Sequence, residues 1–200
     1  TKSYEVGLKF NALDERIKGT AAVFKMEKTN VITADPVNAG FSIAIGEAKS
    51  KGFEIEVTGE FTDTFRAQLA YAYTDAESGS TVLDPDFGRV VAAGSPLINI
   101  PKHNANLLLF KDLQVAARTL TVGGGVQYNS ERLGETGTTF FLPSYTLVNL
   151  TASYAPSDSF KVTVDVDNAL DKTYYPSSYA RLWIAPGAPR TWTVRGVFNF

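Results

Sequence analysis

Residues 52–61 read GFEIEVTGEF, in which apolar side chains alternate with glutamate and threonine side chains. Successive side chains of a β-strand point to opposite faces, so the stretch has two chemically different faces. One face carries the apolar side chains of Phe53, Ile55, Val57 and Phe61. The other face carries the carboxylates of Glu54, Glu56 and Glu60. Three carboxylates cannot face a dry core without partners, so we predict a strand with one apolar and one hydrated face.

The same alternation recurs on both sides of this stretch, and helical periodicity is nearly absent. Nine candidate strands result, near residues 2–12, 16–33, 52–61, 65–74, 102–111, 120–129, 145–154, 160–168 and 191–200. The second strand alternates least cleanly. We assign its apolar row to Thr20, Ala22, Phe24 and Met26. The pattern predicts an all-β, antiparallel protein.

The connections between these strands alternate strictly in length. The short ones lie near residues 13–15, 62–64, 112–118 and 155–159, and the long ones near 34–40, 75–101, 130–144 and 170–188. Short turns at one rim and long loops at the other are typical of an up-and-down outer-membrane β-barrel. A soluble sandwich has no reason to sort its loops in this way. We therefore expect a transmembrane β-barrel wall.

Aromatic residues favour the same interpretation because they concentrate near both ends of the strands. Those near the short turns are Phe61, Phe65, Tyr154, Phe160, Phe198 and Phe200. Those toward the long loops are Tyr71, Tyr73, Tyr128, Tyr145 and Trp192. Two aromatic girdles around an apolar band are expected at the two membrane interfaces. The alternative is a soluble β-sandwich whose aromatic residues form the core.

Composition narrows the chemistry. The net charge of −2 gives no sign of the basic patch that a nucleic-acid partner requires. Cysteine is absent and His103 is the single histidine, which excludes disulfides, thiolate metal sites and multi-histidine sites. No apolar stretch is long enough for a transmembrane helix. The mean hydropathy of −0.07 is ordinary for a soluble protein and equally expected of a membrane barrel, whose outward and inward residues cancel in a window average.

The closing stretch, TWTVRGVFNF at residues 191–200, resembles the carboxy-terminal strand of bacterial outer-membrane barrels. In that class the terminal aromatic residue and the alternating apolar row form a signal for the barrel-assembly machinery. The matching residues here are Trp192, Val194, Phe198 and Phe200, and Gly196 departs from an all-apolar row. The resemblance implies that the short turns lie in the periplasm and the long loops outside the cell.

Three segments narrow the resemblance to TonB-dependent siderophore receptors. They are GEAKSKGFEIEVTG at 46–59, DVDNALDKTYY at 165–175 and PGAPRTWTVRGVFNF at 186–200. Such receptors have roughly 22 strands and a plug in the lumen. The resemblance implies that residues 1–200 form the C-terminal part of that barrel, about nine strands. The plug domain and the N-terminal strands would lie outside this chain.

The resemblance also implies a function. We expect a receptor in the bacterial outer membrane that takes up a ferric siderophore, and that is not an enzyme. The expected partners are the ferric siderophore, outer-membrane lipid, the barrel-assembly machinery and TonB, the last through the missing N-terminal part. No covalently bound cofactor is expected, and the siderophore is cargo. The alternatives are a receptor for haem, cobalamin or a sugar, a passive porin-like channel, or a soluble β-sandwich binding module.

The long loops contain the candidate ligand-binding residues. They are Phe87, Arg89, Phe140, Phe141, Tyr179, Arg181 and Trp183. Aromatic walls combined with cations suit a bulky and often anionic iron chelate. Aromatic residues near a rim can equally be anchors at the membrane interface.

Three further motifs favour structural interpretations. Gly123, Gly124 and Gly125 lie inside a strand pattern without the helix and lysine of a phosphate-binding loop, which favours close packing. Asp165, Asp167 and Asp171 lack the spacing of a calcium loop, so we expect solvated lumen residues. No G-x-S-x-G elbow accompanies His103, so the sequence does not predict a hydrolase triad. Glu54, Glu56 and Glu60 are spaced by two and four residues along one strand, so we expect them to line the lumen rather than to form a catalytic pair.

Overall fold

The computed structural model describes residues 1–199, with every side chain except that of Ile45. Nine long strands form one antiparallel sheet. They are β1 (Lys2–Ala12), β2 (Ile17–Ala34), β3 (Ser42–Thr62), β4 (Phe65–Ser78), β7 (His103–Val115), β8 (Arg118–Asn129), β11 (Tyr145–Ser157), β12 (Phe160–Asp167) and β15 (Thr191–Phe198). The loops contain three small hairpins, β5 (Val82–Leu83) with β6 (Val90–Val91), β9 (Arg132–Leu133) with β10 (Phe141–Leu142), and β13 (Ser177–Ala180) with β14 (Trp183–Ala185).

Each long strand pairs with the next one along the chain, so the predicted up-and-down meander is confirmed. All nine predicted strands are present. At the long-loop rim β3 begins at Ser42 and β4 ends at Ser78, both beyond the predicted bounds. At the short-turn rim β7, β8 and β11 are longer than predicted. The sequence of residues 42–51 lacks clean alternation, so the pattern that marked residues 52–61 did not extend to them. Within residues 1–199 no helix is long and apolar enough to cross a membrane.

The outer face of the sheet, which carries Val6, Phe53, Leu107 and Val194, is a continuous apolar band. Cross-strand register connects its rows, for example through Trp192, Val166 and Leu150. Val6 is 74% exposed and Val194 70% exposed, so this band is not a core. The described residues contain no second sheet packed against it, which makes the soluble β-sandwich alternative wrong.

One predicted row on β2 is wrong. Val23 pairs with both Val6 and Phe53, which places the odd-numbered residues of β2 on the outer face. The predicted row therefore lies on the inner face, and its members are Thr20, Ala22, Phe24 and Met26. The reason is packing against a glycine. A Cβ atom added to Gly52 would lie 2.0 Å from the Tyr73 carbonyl oxygen and 2.8 Å from the ring of Phe24, so the ring packs against the glycine.

The inner face is predominantly polar, as predicted from the carboxylates of β3. Arg66 Nη1 lies 3.2 Å from Asp112 Oδ2, and Gln68 Nε2 donates to Glu56 Oε1 at 3.0 Å. The apolar side chains on this face pack over glycine residues of the neighbouring strands. A Cβ atom at Gly123 would lie only 2.5 Å from the ring of Phe110, and one at Gly125 only 2.6 Å from Leu108 Cδ2, so these two glycines of the segment serve close packing within the sheet.

Both predicted aromatic girdles have counterparts on the outer face. Phe160 stacks on Phe198 at the short-turn rim, with ring centroids 4.4 Å apart. Toward the other rim, the ring centroids of Phe53 and Tyr71 are 5.6 Å apart. The assignment of Tyr145 to the girdle is wrong, because Tyr145 pairs with Asn129 and lies with it on the inner face. The predicted terminal aromatic, Phe200, lies outside the described residues.

Candidate functional site

Three long loops interlock at one rim of the sheet. Loop A comprises residues 79–102, loop B residues 130–144 and loop C residues 168–190. Asn99 of loop A donates from Nδ2 to the Ser178 carbonyl at 2.7 Å and accepts the Ser178 N–H at 3.0 Å. Ser178 Oγ of loop C donates to the Gly134 carbonyl of loop B at 2.5 Å. These bonds join the three loops into one layer.

Arg132 lies at the centre of this layer and is only 3% exposed. Its Nε donates to the carbonyl of Pro176 at 3.1 Å, and its Nη2 donates to that of Tyr175. The guanidinium also lies over the ring of Tyr145, 5.1 Å from the centroid. Burial lowers the pKa of Arg132. This arginine thereby fixes the backbone of loop C at Tyr175 and Pro176.

Glu135 of loop B is the second buried charge, with a side chain 3% exposed. Its Oε1 lies 2.9 Å from Arg89 Nη1 of loop A, and its Oε2 accepts from Arg181 Nε of loop C at 2.6 Å. Arg89 lowers the pKa of Glu135 most strongly, and Arg181 adds to this effect, while desolvation opposes both. One carboxylate therefore connects the two arginines that we predicted as ligand contacts.

Aromatic rings surround this ion pair. Arg89 lies over the ring of Phe87 at 5.1 Å, and Arg181 lies over Phe140 at 5.9 Å. Tyr179 connects the rings of Phe87 and Trp183, with centroid distances of 5.8 Å and 6.0 Å. We call these residues, together with Glu135, the loop cluster. It consists of Phe87, Arg89, Glu135, Phe140, Tyr179, Arg181 and Trp183.

The structure thus brings together six of the seven predicted candidate residues, and Phe141 is the exception. Phe141 lines a separate cleft of about 430 Å³ with Tyr128 and His103, which belong to the outer face. It is 44% exposed there. Its position beside the outer face suits the interface-anchor alternative better than contact with a ligand at the loop cluster.

Two carboxylates border the loop cluster. The Asp86 carboxylate raises the pKa of Tyr179 most strongly, and desolvation adds to this effect. Asp84 is 7% exposed, and its Oδ1 accepts the N–H groups of Asp86 and Phe87 at 3.0 and 2.7 Å. Asp84 therefore shapes the turn that presents Phe87. The cluster is amphipathic, with exposed rings above a network of charges.

The remaining candidates do not assemble into a site. Asp165 accepts from Thr151 Oγ1 at 2.6 Å, and Asp171 accepts the Arg190 N–H at 2.9 Å, in different parts of the molecule. His103 Nδ1 lies 2.8 Å from the Tyr71 hydroxyl on the outer face. Among the residues described, no group of three or more His, Cys, Asp or Glu side chains could hold a metal ion. On β15, Trp192, Val194 and Phe198 lie on the outer face.

Sequence reasoning missed the residues that hold the loops together, which are Asn99, Arg132, Glu135 and Ser178. A charged residue in a loop is usually solvated, so nothing in the sequence marked Arg132 or Glu135 as buried. The one signal in the sequence was the asparagine at position 99, because asparagine tolerates the positive φ of 63° that it adopts in the structure.

Comparisons with known proteins agree with this architecture. Residues 1–169 match the family model described as "TonB dependent receptor-like, beta-barrel". The chain is 38% identical to the metal-pseudopaline receptor CntO of Pseudomonas aeruginosa, over 100% of the chain and 27% of that receptor. It is 30% identical to the ferrichrome outer membrane transporter/phage receptor of Escherichia coli, over 100% of the chain and 26% of that protein.

Solved structures give the same result. The siderophore receptor PiuA from Acinetobacter baumannii superposes with a TM-score of 0.83 at 28% identity, covering 98% of this chain and 28% of that one. The ferripyoverdine receptor of Pseudomonas aeruginosa superposes with a TM-score of 0.76 at 26% identity, covering 99% of this chain and 27% of that one. The chain thus spans about a quarter of the length of the curated relatives it matches.

Proposed function

The chain belongs to the TonB-dependent receptor β-barrel family, and from this premise we propose that it forms part of a receptor that imports a ferric siderophore. The family's members are outer-membrane proteins, so the apolar outer face is the surface that meets lipid. The observation that carries the proposal is the loop cluster. Six candidate residues from three loops meet at the long-loop rim, where a ligand arriving from outside the cell first contacts the barrel.

The proposed role of this chain is capture. Phe87, Phe140, Tyr179 and Trp183 supply flat apolar surface, and Arg89 and Arg181 hold those rings in place. Aromatic side chains bury large areas with few rotatable bonds, which suits a bulky and rigid chelate. The protein performs no bond chemistry on its cargo and requires no covalently bound cofactor.

The proposed domain organisation follows from the length of the relatives. Residues 1–200 form the C-terminal part of a barrel of roughly 22 strands, and the plug and N-terminal strands belong to the rest of the protein. Both edges of the nine-stranded sheet, β1 and β15, lack a second neighbour among the described strands. Lipid cannot satisfy such edges, which supports pairing with further strands. TonB would bind the part of the protein outside this chain. The barrel-assembly machinery would recognise β15.

The test is uptake of a radiolabelled ferric siderophore by iron-starved cells that express the full-length protein as their single siderophore receptor. Uptake should require the receptor, TonB and the proton-motive force. Uptake that continues after the proton-motive force is collapsed would favour the porin-like channel. A panel of ferric chelates without binding or uptake would contradict the proposal, and parallel assays with haem, cobalamin and sugars test the other cargoes.

A further inference from the structure

We propose that the cleft beside Phe141 is a lipid site, which holds the interfacial part of an outer-leaflet lipid, namely its ester groups and first methylene groups. The site lies on the membrane side of the loops, so it goes beyond the proposed function and does not depend on the cargo. The starting observation is a pair of adjacent phenylalanines in loop B. Phe140 lies under Arg181 in the loop cluster, whereas Phe141 lines a separate cleft with Tyr128 and His103.

The cleft is continuous with the apolar outer face of the sheet. His103 and Tyr128, which belong to its lining, both lie on that face. The ring centroid of His103 lies 5.3 Å from that of Tyr73, and the centroid of Tyr73 lies 5.9 Å from that of Phe53, so the aromatic girdle leads to the cleft. Aromatic residues at this level of a barrel mark the membrane interface. The cleft therefore opens where the ester groups and first methylene groups of the outer leaflet lie.

The lining of the cleft matches an amphipathic ligand. Its volume is about 430 Å³, which is large enough for a small-molecule group. The apolar part of the lining consists of Pro96, Ile100, Tyr128, Leu133 and Phe141. Lys102 and Ser144 add hydrogen-bond donors. Apolar walls with a few donors suit the interfacial part of a lipid, because ester oxygens accept hydrogen bonds and methylene groups need apolar contacts.

The hairpin formed by β9 and β10 holds Phe141 toward the outer face. Leu133 pairs with Phe141 across the hairpin, but Leu133 is 3% exposed and Phe141 is 44% exposed. The Leu133 carbonyl accepts the Asn99 N–H of loop A at 2.9 Å, and Leu142, next to Phe141, is 1% exposed. The ring of Phe141 is thus fixed by buried neighbours while much of it stays uncovered. Removing such a ring from water is favourable, and an outer-leaflet lipid is the apolar material available on this side.

The charges at the cleft do not define an anion site. The charged residues in its lining are Lys102, Glu131 and Arg132, so both signs are present. Lys102 Nζ lies 3.3 Å from Asp75 Oδ1, and Lys51 Nζ lies 3.6 Å from Asp75 Oδ2. Arg132 donates to carbonyls of loop C. Because the cations already have partners within the protein, the apolar walls rather than a net charge determine the class of ligand.

The first experiment places a tryptophan reporter in the full-length receptor. Phe141→Trp keeps an aromatic ring at the cleft, and Phe140→Trp is the matched control one residue away in the loop cluster. The receptor is placed in nanodiscs of phosphatidylcholine, with or without bromine atoms near the ester end of one acyl chain. Emission of the wild type, which includes Trp183 and Trp192, is subtracted. The added emission of Phe141→Trp should be quenched by brominated lipid and resist aqueous iodide, and Phe140→Trp should show the reverse.

The second experiment tests whether a lipid occupies the cleft itself. Ser144→Phe adds a ring at a residue of the lining, and Thr139→Phe adds the same ring at an exposed position of the same loop outside the cleft. Native mass spectrometry of the full-length receptor, extracted from outer membranes in detergent, counts the lipids that each variant retains. Ser144→Phe should retain one lipid fewer than the wild type, and Thr139→Phe should retain the same number.

Three results would overturn the lipid site. Quenching of Phe141→Trp by iodide and not by brominated lipid would show that the cleft is open to water. Protection of Phe141→Trp from brominated lipid by a bound ferric chelate would assign the cleft to the path of the cargo. An equal number of retained lipids in Ser144→Phe and the wild type would show that Phe141 is an anchor beside an empty cleft. Uptake of ferric siderophore tests the proposed function separately, so the two failures are distinguishable.

Discussion

Asn99 and Ser178 form two hydrogen bonds with each other, although they are 79 positions apart along the chain. The Asn99 side chain donates to the Ser178 carbonyl and accepts the Ser178 N–H, as a neighbouring β-strand would. The pairing joins loop A to loop C across loop B. The residues that contact ligand in our proposal therefore do not lie on independent loops, and a change in one loop should affect the others.

Replacing Asn99 with glycine should loosen loop C. The variant keeps the positive φ of 63° without strain and removes both hydrogen bonds, which costs about 1–3 kcal/mol of local stability. Hydrogen exchange of the Ser178 amide in the full-length protein should accelerate accordingly. Asn30→Gly is the matched control, because Asn30 is an exposed asparagine with a φ of 57°. Equal exchange in wild type and Asn99→Gly would contradict the pairing.

Replacing Arg132 with alanine should disrupt loop C more severely than the change at Asn99. The carbonyls of Tyr175 and Pro176 would lose their charged donor, and a hydrogen bond to a charged group contributes about 1.5–3 kcal/mol. We expect faster hydrogen exchange over residues 173–180 and weaker binding of siderophore. Arg190→Ala, at an exposed arginine of the same loop, should have little effect. Similar exchange in the two variants would show that Arg132 does not hold the loops.

The ion pair at Glu135 should respond to acid in a defined direction. Arg89 and Arg181 lower its pKa from the ordinary value of 4.5, so its contribution to stability is fully present above that value. The contribution is lost as the pH falls below 4.5 through the lowered pKa of the folded state.

Hydrogen exchange of residues 178–183, corrected for the intrinsic pH dependence of exchange, should therefore stay constant from neutral pH to about pH 5 and rise below it. Glu135→Gln should lack this step. A step of the same size in that variant would assign it to another carboxylate.

The nine strands could be predicted from sequence because each one has two different faces, an apolar face toward lipid and a face toward the polar interior. Phe53 and Glu54 differ so strongly because of this boundary. Phe24 was misassigned because aromatic character does not report a face when a neighbouring strand offers a glycine, here Gly52. The loop cluster was only half visible. Its rings could be identified by type, but the burial of Glu135 results from three loops that meet only in the folded chain.

Packing of Phe110 over Gly123 should make alanine at position 123 destabilising. The new Cβ atom would lie 2.5 Å from the ring of Phe110 and 2.9 Å from Thr151 Cγ2, and overpacking of this kind costs about 1–3 kcal/mol. Urea unfolding of the full-length protein in lipid vesicles measures the cost.

Gly124→Ala is the control for this change, since its nearest neighbour on the outer face is 3.3 Å away. In a Phe110→Ala background the cost at Gly123 should largely disappear, because the two residues interact directly. An unchanged cost in that background would show that Phe110 is not its cause.

Leu107 and Leu108 provide the sharpest test of which face meets lipid. They are adjacent residues of the same type with nearly equal exposure, 36% and 37%. Leu107 lies on the outer face between Leu69 and Val126, and Leu108 lies on the inner face over Gly125. If both faces met water, an arginine at either position would have a similar cost.

In a membrane the two costs should differ. Leu107→Arg places a charge in the apolar band and should cost about 2–4 kcal/mol near the bilayer midplane. Leu108→Arg faces the polar interior and should cost clearly less. Unfolding in lipid vesicles gives both values, and the fraction of folded receptor recovered from outer membranes gives an independent measure. A larger cost at Leu108 would reverse the assignment of the faces, and equal costs would show that the outer face does not meet lipid, because the same substitution is made at adjacent positions of one strand.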